Sequence, residues 1–345
     1  MTRIAINGAG RIGRAFFKLA HEHSKTDPNV TVVAINDIGD INNIAYLLKY
    51  DTAYGPSGLD VQVSSSGTSL IVDGKEVAYT QVKDPATLPW AAMQVDIVVE
   101  STGLFTTYEK ARAHITAGAK RVVITGPVKE DPKDATEATI LMVLNEDALG
   151  GVEVSSNASC TTNAGSPLMA ILDETVGIEK ALLNTVHAYT ASQTIVDGPS
   201  KKDFREGRAA AQNIVPSSTG AAVAVTKVLP QLKGKFDGIS IRVPVPIGSI
   251  VDITFISKKN TTAAEINDIL KKAAADPKWK GIFTVTEEQL VSRDIVGNGH
   301  ASIADLAFTR VADGNLVKVL AWYDNEMGYT HTLLRHVLES AKYIK

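Results

Sequence analysis

The chain has 345 residues, a formal net charge of −3, a hydrophobic fraction of 44% and a charged fraction of 21%. That length favours two domains, and the near-neutral charge gives no general attraction to nucleic acid or anionic membrane, so any bound anion needs a local constellation. A single cysteine excludes an internal disulfide and argues against a thiolate metal site, and no apolar run nears the roughly 20 residues of a membrane span.

In chain order, residues 3–7 read as a strand, 10–21 as a helix burying Ile12, Phe16 and Leu19, and 30–37 as a second strand. Residues 95–101, 121–125 and 140–144 read as further strands, and 109–117 as a short crossover helix closed by Gly118. Continuous β-branched runs alternating with helices predict an α/β, Rossmann-type doubly wound parallel sheet. The first residues enter a strand pattern with no leader-like segment before it, and the expected compartment is the cytoplasm.

Beyond Asn157 the strands lengthen, to 182–189, 238–245, 250–257, 303–311 and 316–322, the last two joined by an Asp313-Gly314-Asn315 turn. Helices at 220–232 and 262–275 cover one face, predicting an α+β domain with a mostly antiparallel sheet. Residues 191–218 form a long polar stretch with Lys201, Lys202, Arg205 and Arg208, of a length that is usually functional or interface-forming. A last helix, 330–343, is expected to pack back on the first domain. The expected division is 1–158 with 325–345, and 159–324.

Gly8, Gly10 and Gly13, with Arg11 and Ile12 between them, form Gly-x-Gly-x-x-Gly between the first strand and the first helix. There the glycines allow a sharp turn and bring backbone and helix N-terminus to a pyrophosphate. Asp37, 24 positions past Gly13 (37 − 13 = 24), suits ribose hydroxyls and repels a 2′-phosphate, favouring NAD over NADP. The bland alternative is a tight turn with no ligand.

Cys160, the one thiol, sits where a strand gives way to a helix, so helix-terminal amides can lower its pKa or hold an oxyanion. His187, on an alternating strand, is a candidate activator. On composition and spacing alone, an inert cysteine and a satisfied core histidine are the commoner readings, and the polar neighbours of Cys160 tilt against an apolar core. Arg242, the Ser217-Ser218-Thr219-Gly220 turn and Arg208 are anion-site candidates, against an ion pair and an ordinary cap. His331 and His336 are five apart, off one helix face, and no metal site is expected.

The run Ala158-Ser159-Cys160-Thr161-Thr162-Asn163 resembles the active-site signature of glyceraldehyde-3-phosphate dehydrogenases. The likeness extends through Tyr50-Asp51-Thr52, Glu100-Ser101-Thr102-Gly103, His187-Ala188-Tyr189-Thr190, Ala210 to Ala222, Arg242-Val243-Pro244 and Trp322-Tyr323-Asp324-Asn325-Glu326. The resemblance implies Cys160 as nucleophile and His187 as its acid–base partner. It implies Thr190 and Arg242 for the phosphate of glyceraldehyde 3-phosphate, and Ser159, Thr161, Thr219 and Gly220, with Arg208, for inorganic phosphate. Arg11, Ile12, Asp37, Lys83, Thr125 and Asn325 match NAD-contacting positions, and the family assembly is a homotetramer. This chain departs at Ala9, Lys83, Thr125-Gly126-Pro127, Ala164, Met327 and Thr330-His331-Thr332. Three other readings stand beside it: an erythrose-4-phosphate dehydrogenase, a semialdehyde or acyl-phosphate reductase, and a catalytically idle NAD-binding interaction protein.

Overall fold

A computed structural model describes residues 1–200 and 203–344, so Lys201, Lys202 and Lys345 lie outside the described residues. The chain divides into two compact units, Met1–Ala158 with Thr330–Lys345, and Ser159–Tyr329.

The first unit contains β1 (Thr2–Asn7), α1 (Arg11–Thr26), β2 (Val30–Asn36), α2 (Ile41–Lys49), β3 (Val61–Val63), β4 (Ser69–Val72) and β5 (Lys75–Thr80). It continues with β6 (Ile97–Glu100), α3 (Tyr108–Ala111), α4 (Ala113–Thr116), β7 (Arg121–Ile124), β8 (Glu137–Thr139) and β9 (Val154–Ser156). The sheet order is β3-β4-β5-β2-β1-β6-β7-β9-β8. Ile4, Ala5 and Ile6 of β1 are fully buried between parallel β2 and β6, as a doubly covered strand requires. The antiparallel β3–β4–β5 edge is absent from the sequence reading, as is α2. The β4–β5 turn is nevertheless Asp73-Gly74 with both residues at positive φ, the chemistry of a two-residue hairpin.

Four expectations need correction. Residues 140–144 form a turn, not a strand, and the strand is β8 just before them. Asn145 decides this, accepting from the Leu141 N–H at 2.8 Å and donating to Thr139 O at 2.9 Å, while Val143 takes a φ of 77°. The crossover helix breaks at Arg112, whose guanidinium reaches Glu137 and Glu153. On α1 the fully buried ring beside Phe16 is Phe17; Ile12 and Leu19 are half-buried. The helix expected at 220–232 stops at Val228, because Leu229 precedes a proline and leaves the helical region.

The second unit contains α5 (Cys160–Thr175), β10 (Ile178–Ala188), β11 (Val215–Ser218), α6 (Ala221–Val228), β12 (Phe236–Val243) and β13 (Ser249–Ser257). Then follow α7 (Ala263–Ala275), β14 (Phe283–Thr286), β15 (Ser302–Ala312) and β16 (Leu316–Tyr323). The order is β11-β12-β10-β13-β16-β15-β14, with β10–β12 and β14–β15 parallel and the other four pairings antiparallel. Helix α5 is buried from Thr161 to Leu172 and packs against α6, α7 and the sheet. Every other residue of β13 is buried, so the sheet has one covered and one open face. A final helix, α8 (Met327–Ala341), opens earlier than the predicted 330 and belongs from Thr330 onward to the first unit.

Candidate active site

In the first unit the three glycines have three different reasons. Gly8 has a φ of 99°, and a Cβ there would lie 2.7 Å from Thr102 N. A Cβ on Gly13 would lie 2.0 Å from Gly8 O, so only glycine lets α1 pack against the turn. Gly10 is exposed with φ −66°, and nothing lies within 4 Å of where its Cβ would be. That open space above the first turn of α1 is the cradle a dinucleotide phosphate needs. Gly10→Ala is therefore expected to leave thermal unfolding unchanged while weakening NAD binding about tenfold or more, read by fluorescence titration. Gly13→Ala is expected to destabilise the protein by roughly 1–3 kcal/mol or more. Equal effects of the two substitutions on stability would contradict this division of roles.

Asp37 follows β2, and its carboxylate already accepts from Ala9 N–H at 2.6 Å and Gly39 N–H at 2.7 Å. It ties the second strand to the glycine turn whatever else it binds. Arg11 pairs with Asp51 at 3.1 Å, and Thr125 closes β7 through its N–H to Glu100 O. Ile12 is half-buried and Lys83 is exposed.

Beneath the turn lies a buried polar chain that the sequence reading did not find. Glu100 accepts from Asn7 Nδ2, from His114 Nε2 at 2.9 Å and from the Thr102 N–H at 2.8 Å. Trp90 donates to His114 Nδ1 at 3.0 Å; an indole has no other choice, so the imidazole is the neutral Nε2–H tautomer. Asn36 donates to Asn7 Oδ1 at 2.7 Å, which joins the ends of β1, β2 and β6. The partners are too distant in sequence for a local motif to reveal them.

In the second unit Cys160 is the first residue of α5, and the Ser159 side chain caps the helix by accepting from the Thr162 N–H at 3.0 Å. Cys160 Sγ lies 3.4 Å from His187 Nε2, the side chain meeting it from β10. Burial disfavours the charged form of both groups. Burial pushes the thiol up, opposed by Arg242 and by hydrogen bonds to the helix-terminal amides. Burial, reinforced by Arg242, brings His187 down to about 3. Arg242 Nη1 lies 2.6 Å from His187 Nδ1, and Ala188 O lies 2.6 Å from that same nitrogen. The carbonyl favours the imidazolium and the guanidinium opposes it, so Arg242 adds to the effect of burial on His187.

Tyr323 underlies both groups. Its hydroxyl is 2.9 Å from Thr161 Oγ1 and 2.8 Å from Thr185 Oγ1, and its ring meets His187 edge-on at 5.8 Å. Burial raises its pKa, so it stays a neutral phenol joining α5 to β10. Periodicity assigned Tyr323 no role; its position inside the family-like motif was the only signal.

The other phosphate candidates are less uniform. Thr190, just beyond β10, has its hydroxyl 3.1 Å from Ser192 Oγ. Thr219 accepts from the Ala221 N–H at 3.2 Å, and Gly220 opens α6 with no side-chain cap. Arg208 is exposed, its Nε donating to Asp197 at 2.8 Å. Asn325 accepts through Oδ1 from the Gly248 N–H at 3.0 Å and Ser249 Oγ at 3.1 Å, so its amide NH₂ is the end with donors to offer a ligand. Among the described residues no three His, Cys, Asp or Glu side chains are grouped to hold a metal, and no helix is long and apolar enough to cross a membrane.

A second buried histidine, His336 on α8, is also brought to about 3 by burial. Unfolded, each ring binds a proton below about 6.5, whereas the folded state does not until about 3. Between those values the unfolded state holds more protons, so stability falls as pH drops, by up to about 1.4 kcal/mol per pH unit per ring. Above about 6.5 these two groups contribute no slope. Thermal unfolding followed from pH 8 to 4 is expected to show this fall, and His187→Asn with His336→Asn to flatten it; an unflattened slope would assign the loss to carboxylates.

Two family models cover most of the chain: glyceraldehyde 3-phosphate dehydrogenase, NAD binding domain, over residues 2–108, and its C-terminal domain over residues 159–325. The chain is 46% identical over 344 residues to the glyceraldehyde-3-phosphate dehydrogenase of Geobacillus stearothermophilus, covering 99% of this chain and 98% of that protein. It is 46% identical over 334 residues to that of Streptomyces coelicolor, covering 96% of each. A 350-residue alignment with the Clostridium pasteurianum enzyme gives 45% identity over the whole of both. A glycine turn shaped for NAD, a cysteine–histidine pair at a helix N-terminus and this likeness over nearly the entire length place the chain in the glyceraldehyde-3-phosphate dehydrogenase family.

Proposed function

We propose that this protein oxidises D-glyceraldehyde 3-phosphate with NAD and passes the acyl group to inorganic phosphate, giving 1,3-bisphosphoglycerate. The observation that carries the reading is Cys160 Sγ at 3.4 Å from His187 Nε2, at the start of α5 and with Arg242 on the far side of the imidazole. His187 takes the thiol proton as sulfur attacks the aldehyde carbon and hands it to the carbonyl oxygen, which gives the thiohemiacetal hydroxyl and leaves the imidazole neutral again; the helix-terminal amides of α5 are available to that oxygen while it carries charge. His187 then takes the hydroxyl proton of the thiohemiacetal as the carbon gives up hydride. NAD, when bound, supplies the acceptor for that hydride. A thioester on Cys160 remains, and attack by phosphate on its carbonyl frees the thiolate.

Arg242 and Thr190 are assigned to the substrate's phosphate, and Ser159, Thr161, Thr219, Gly220 and Arg208 to the attacking phosphate. Gly8, Gly10, Arg11, Ile12, Gly13, Asp37, Lys83, Thr125 and Asn325 are assigned to NAD, with the NAD-binding domain formed by the first unit and the catalytic domain by the second, so that the boundary expected at 325 moves to 330. A homotetramer is supported by large apolar side chains left exposed in the second unit. Ile195 (85%), Phe204 (85%) and Ile214 (71%) lie in the 191–218 stretch, and Leu182, Ile239 and Phe308 on sheet strands. Light scattering on a sizing column tests it; a monomer at micromolar concentration would refute it. The cytoplasm is the assigned compartment, with neither nucleic acid nor membrane as partner.

The deciding assay follows NADH formation from glyceraldehyde 3-phosphate with and without phosphate or arsenate. Activity that requires the anion supports the reading. Activity on erythrose 4-phosphate that ignores phosphate would replace it with hydrolysis, a reading the family likeness does not favour.

A further inference from the structure

The sequence Thr330-His331-Thr332, one of the departures from the family pattern, and His336 one turn beyond it carry a buried polar chain that the proposed reaction leaves unused. His336 is fully buried in the first unit, with Nε2 2.9 Å from Ser155 Oγ and Nδ1 3.1 Å from Asn157 Oδ1. Asn157 Nδ2 donates to Thr332 Oγ1 at 3.2 Å. The amide oxygen can only accept, so the imidazole proton sits on Nδ1, and Nε2 accepts from the Ser155 hydroxyl. The bonds of the chain Ser155–His336–Asn157–Thr332 then run in one direction, with Val122 O, 3.4 Å from Ser155 Oγ, a longer second acceptor for that hydroxyl. A leucine would fill this site without needing partners, so the cluster supplies direction rather than bulk.

What it holds is the run-up to the nucleophile. Ser155 and Asn157 lie at the end of β9, and the next residue, Ala158, has a φ of 54° with its methyl fully buried. A non-glycine residue in that region persists only where its surroundings over-determine it. Its N–H donates to Ser156 Oγ at 3.0 Å, which in turn donates to Gly126 O at 2.7 Å. Ser159, the cap of α5, and Cys160 follow directly. We propose that His336, acting through Asn157, is a positioning residue that holds the left-handed Ala158 turn and so fixes how Cys160 is presented. In kinetic terms this rests on the reaction proposed above; in thiol reactivity it does not.

The test compares His336→Leu, His336→Asn and His336→Gln in the full chain. Readouts are the rate of Cys160 alkylation by iodoacetamide without ligand, kcat, NAD affinity and thermal unfolding. His336→Leu is expected to slow alkylation and lower kcat by roughly tenfold with NAD affinity kept within about twofold. Asparagine places an amide where Nδ1 was and still reaches Asn157, so it restores both rates to within about threefold. Glutamine reaches toward Ser155 instead and does not. Should the leucine variant fail to fold, Asn against Gln still decides, with Thr332→Val as an independent removal of the Asn157 acceptor. Equal rescue by Asn and Gln, or unchanged alkylation in folded His336→Leu, would overturn the proposal. If the native protein lacks the dehydrogenase activity yet alkylation follows the predicted order, the reaction is wrong and the positioning role stands.

Discussion

Cys160→Ser is expected to fold, to bind NAD with native affinity, and to turn over at about one-thousandth of the native rate or less. The substitution exchanges sulfur for a smaller oxygen at a half-buried position and leaves the Ser159 cap of α5 in place, so stability changes little. None of the residues proposed to hold NAD is residue 160, and the glycine turn among them lies in the first unit, which does not include it. The chemistry is different. The thiol is within reach of an imidazole 3.4 Å away, whereas a hydroxyl ionises several pH units higher and gives its proton to the same base far less readily. A serine ester would also lack the reactivity of a thioester toward phosphate. Near-native turnover by the purified variant would mean that Cys160 forms no bond to the substrate.

The fold and the site are legible in the sequence wherever the cause is local. Gly8, Gly10 and Gly13 between a strand and a helix announce a phosphate cradle because conformational freedom, open space and close packing are properties of single residues. Asp313-Gly314 announces a hairpin for the same reason, and both residues have positive φ. The strand at 140–144 misled because apolar β-branched residues also pack in buried turns, and the side chain of Asn145 is what bends the backbone there.

Non-local chemistry was not readable. Nothing in the texture of residues 182–189 distinguishes a catalytic histidine from a core one; the contact exists because β10 and the first turn of α5 share one end of the second unit. Glu100, His114 and Trp90 meet only through the fold, and so do Ser155, Asn157 and His336. Arg242 shows the same limit. As an anion ligand it is legible from a buried-arginine argument, but its contact with His187 Nδ1 depends on the parallel register that sets His187 opposite it. Arg208, legible as one more cation in a polar stretch, is instead held by Asp197 at the surface.

His187→Asn separates the two jobs of the imidazole and gives the second large effect. Asparagine places its amide where Nδ1 was, so the contact with Ala188 O is kept while Nε2, the ring nitrogen facing sulfur, is lost. Removal of a positioned acid–base group costs about 10²–10⁴-fold, and the loss should fall on kcat, since hydride transfer and thiol ionisation both need the base. Its pH profile carries the sharper prediction. Without the imidazole the thiol must ionise alone, and burial has moved it upward, so activity and iodoacetamide alkylation should both climb steadily into the alkaline range. The native protein, whose base lies close to the thiol, should show a shallower alkaline rise. Arg242 stays in the variant and still favours the thiolate, so Arg242→Gln added to His187→Asn should move the alkaline rise higher again. A His187→Asn enzyme that keeps the native pH profile at reduced rate would mean that the histidine orients the thiol without ever holding its proton.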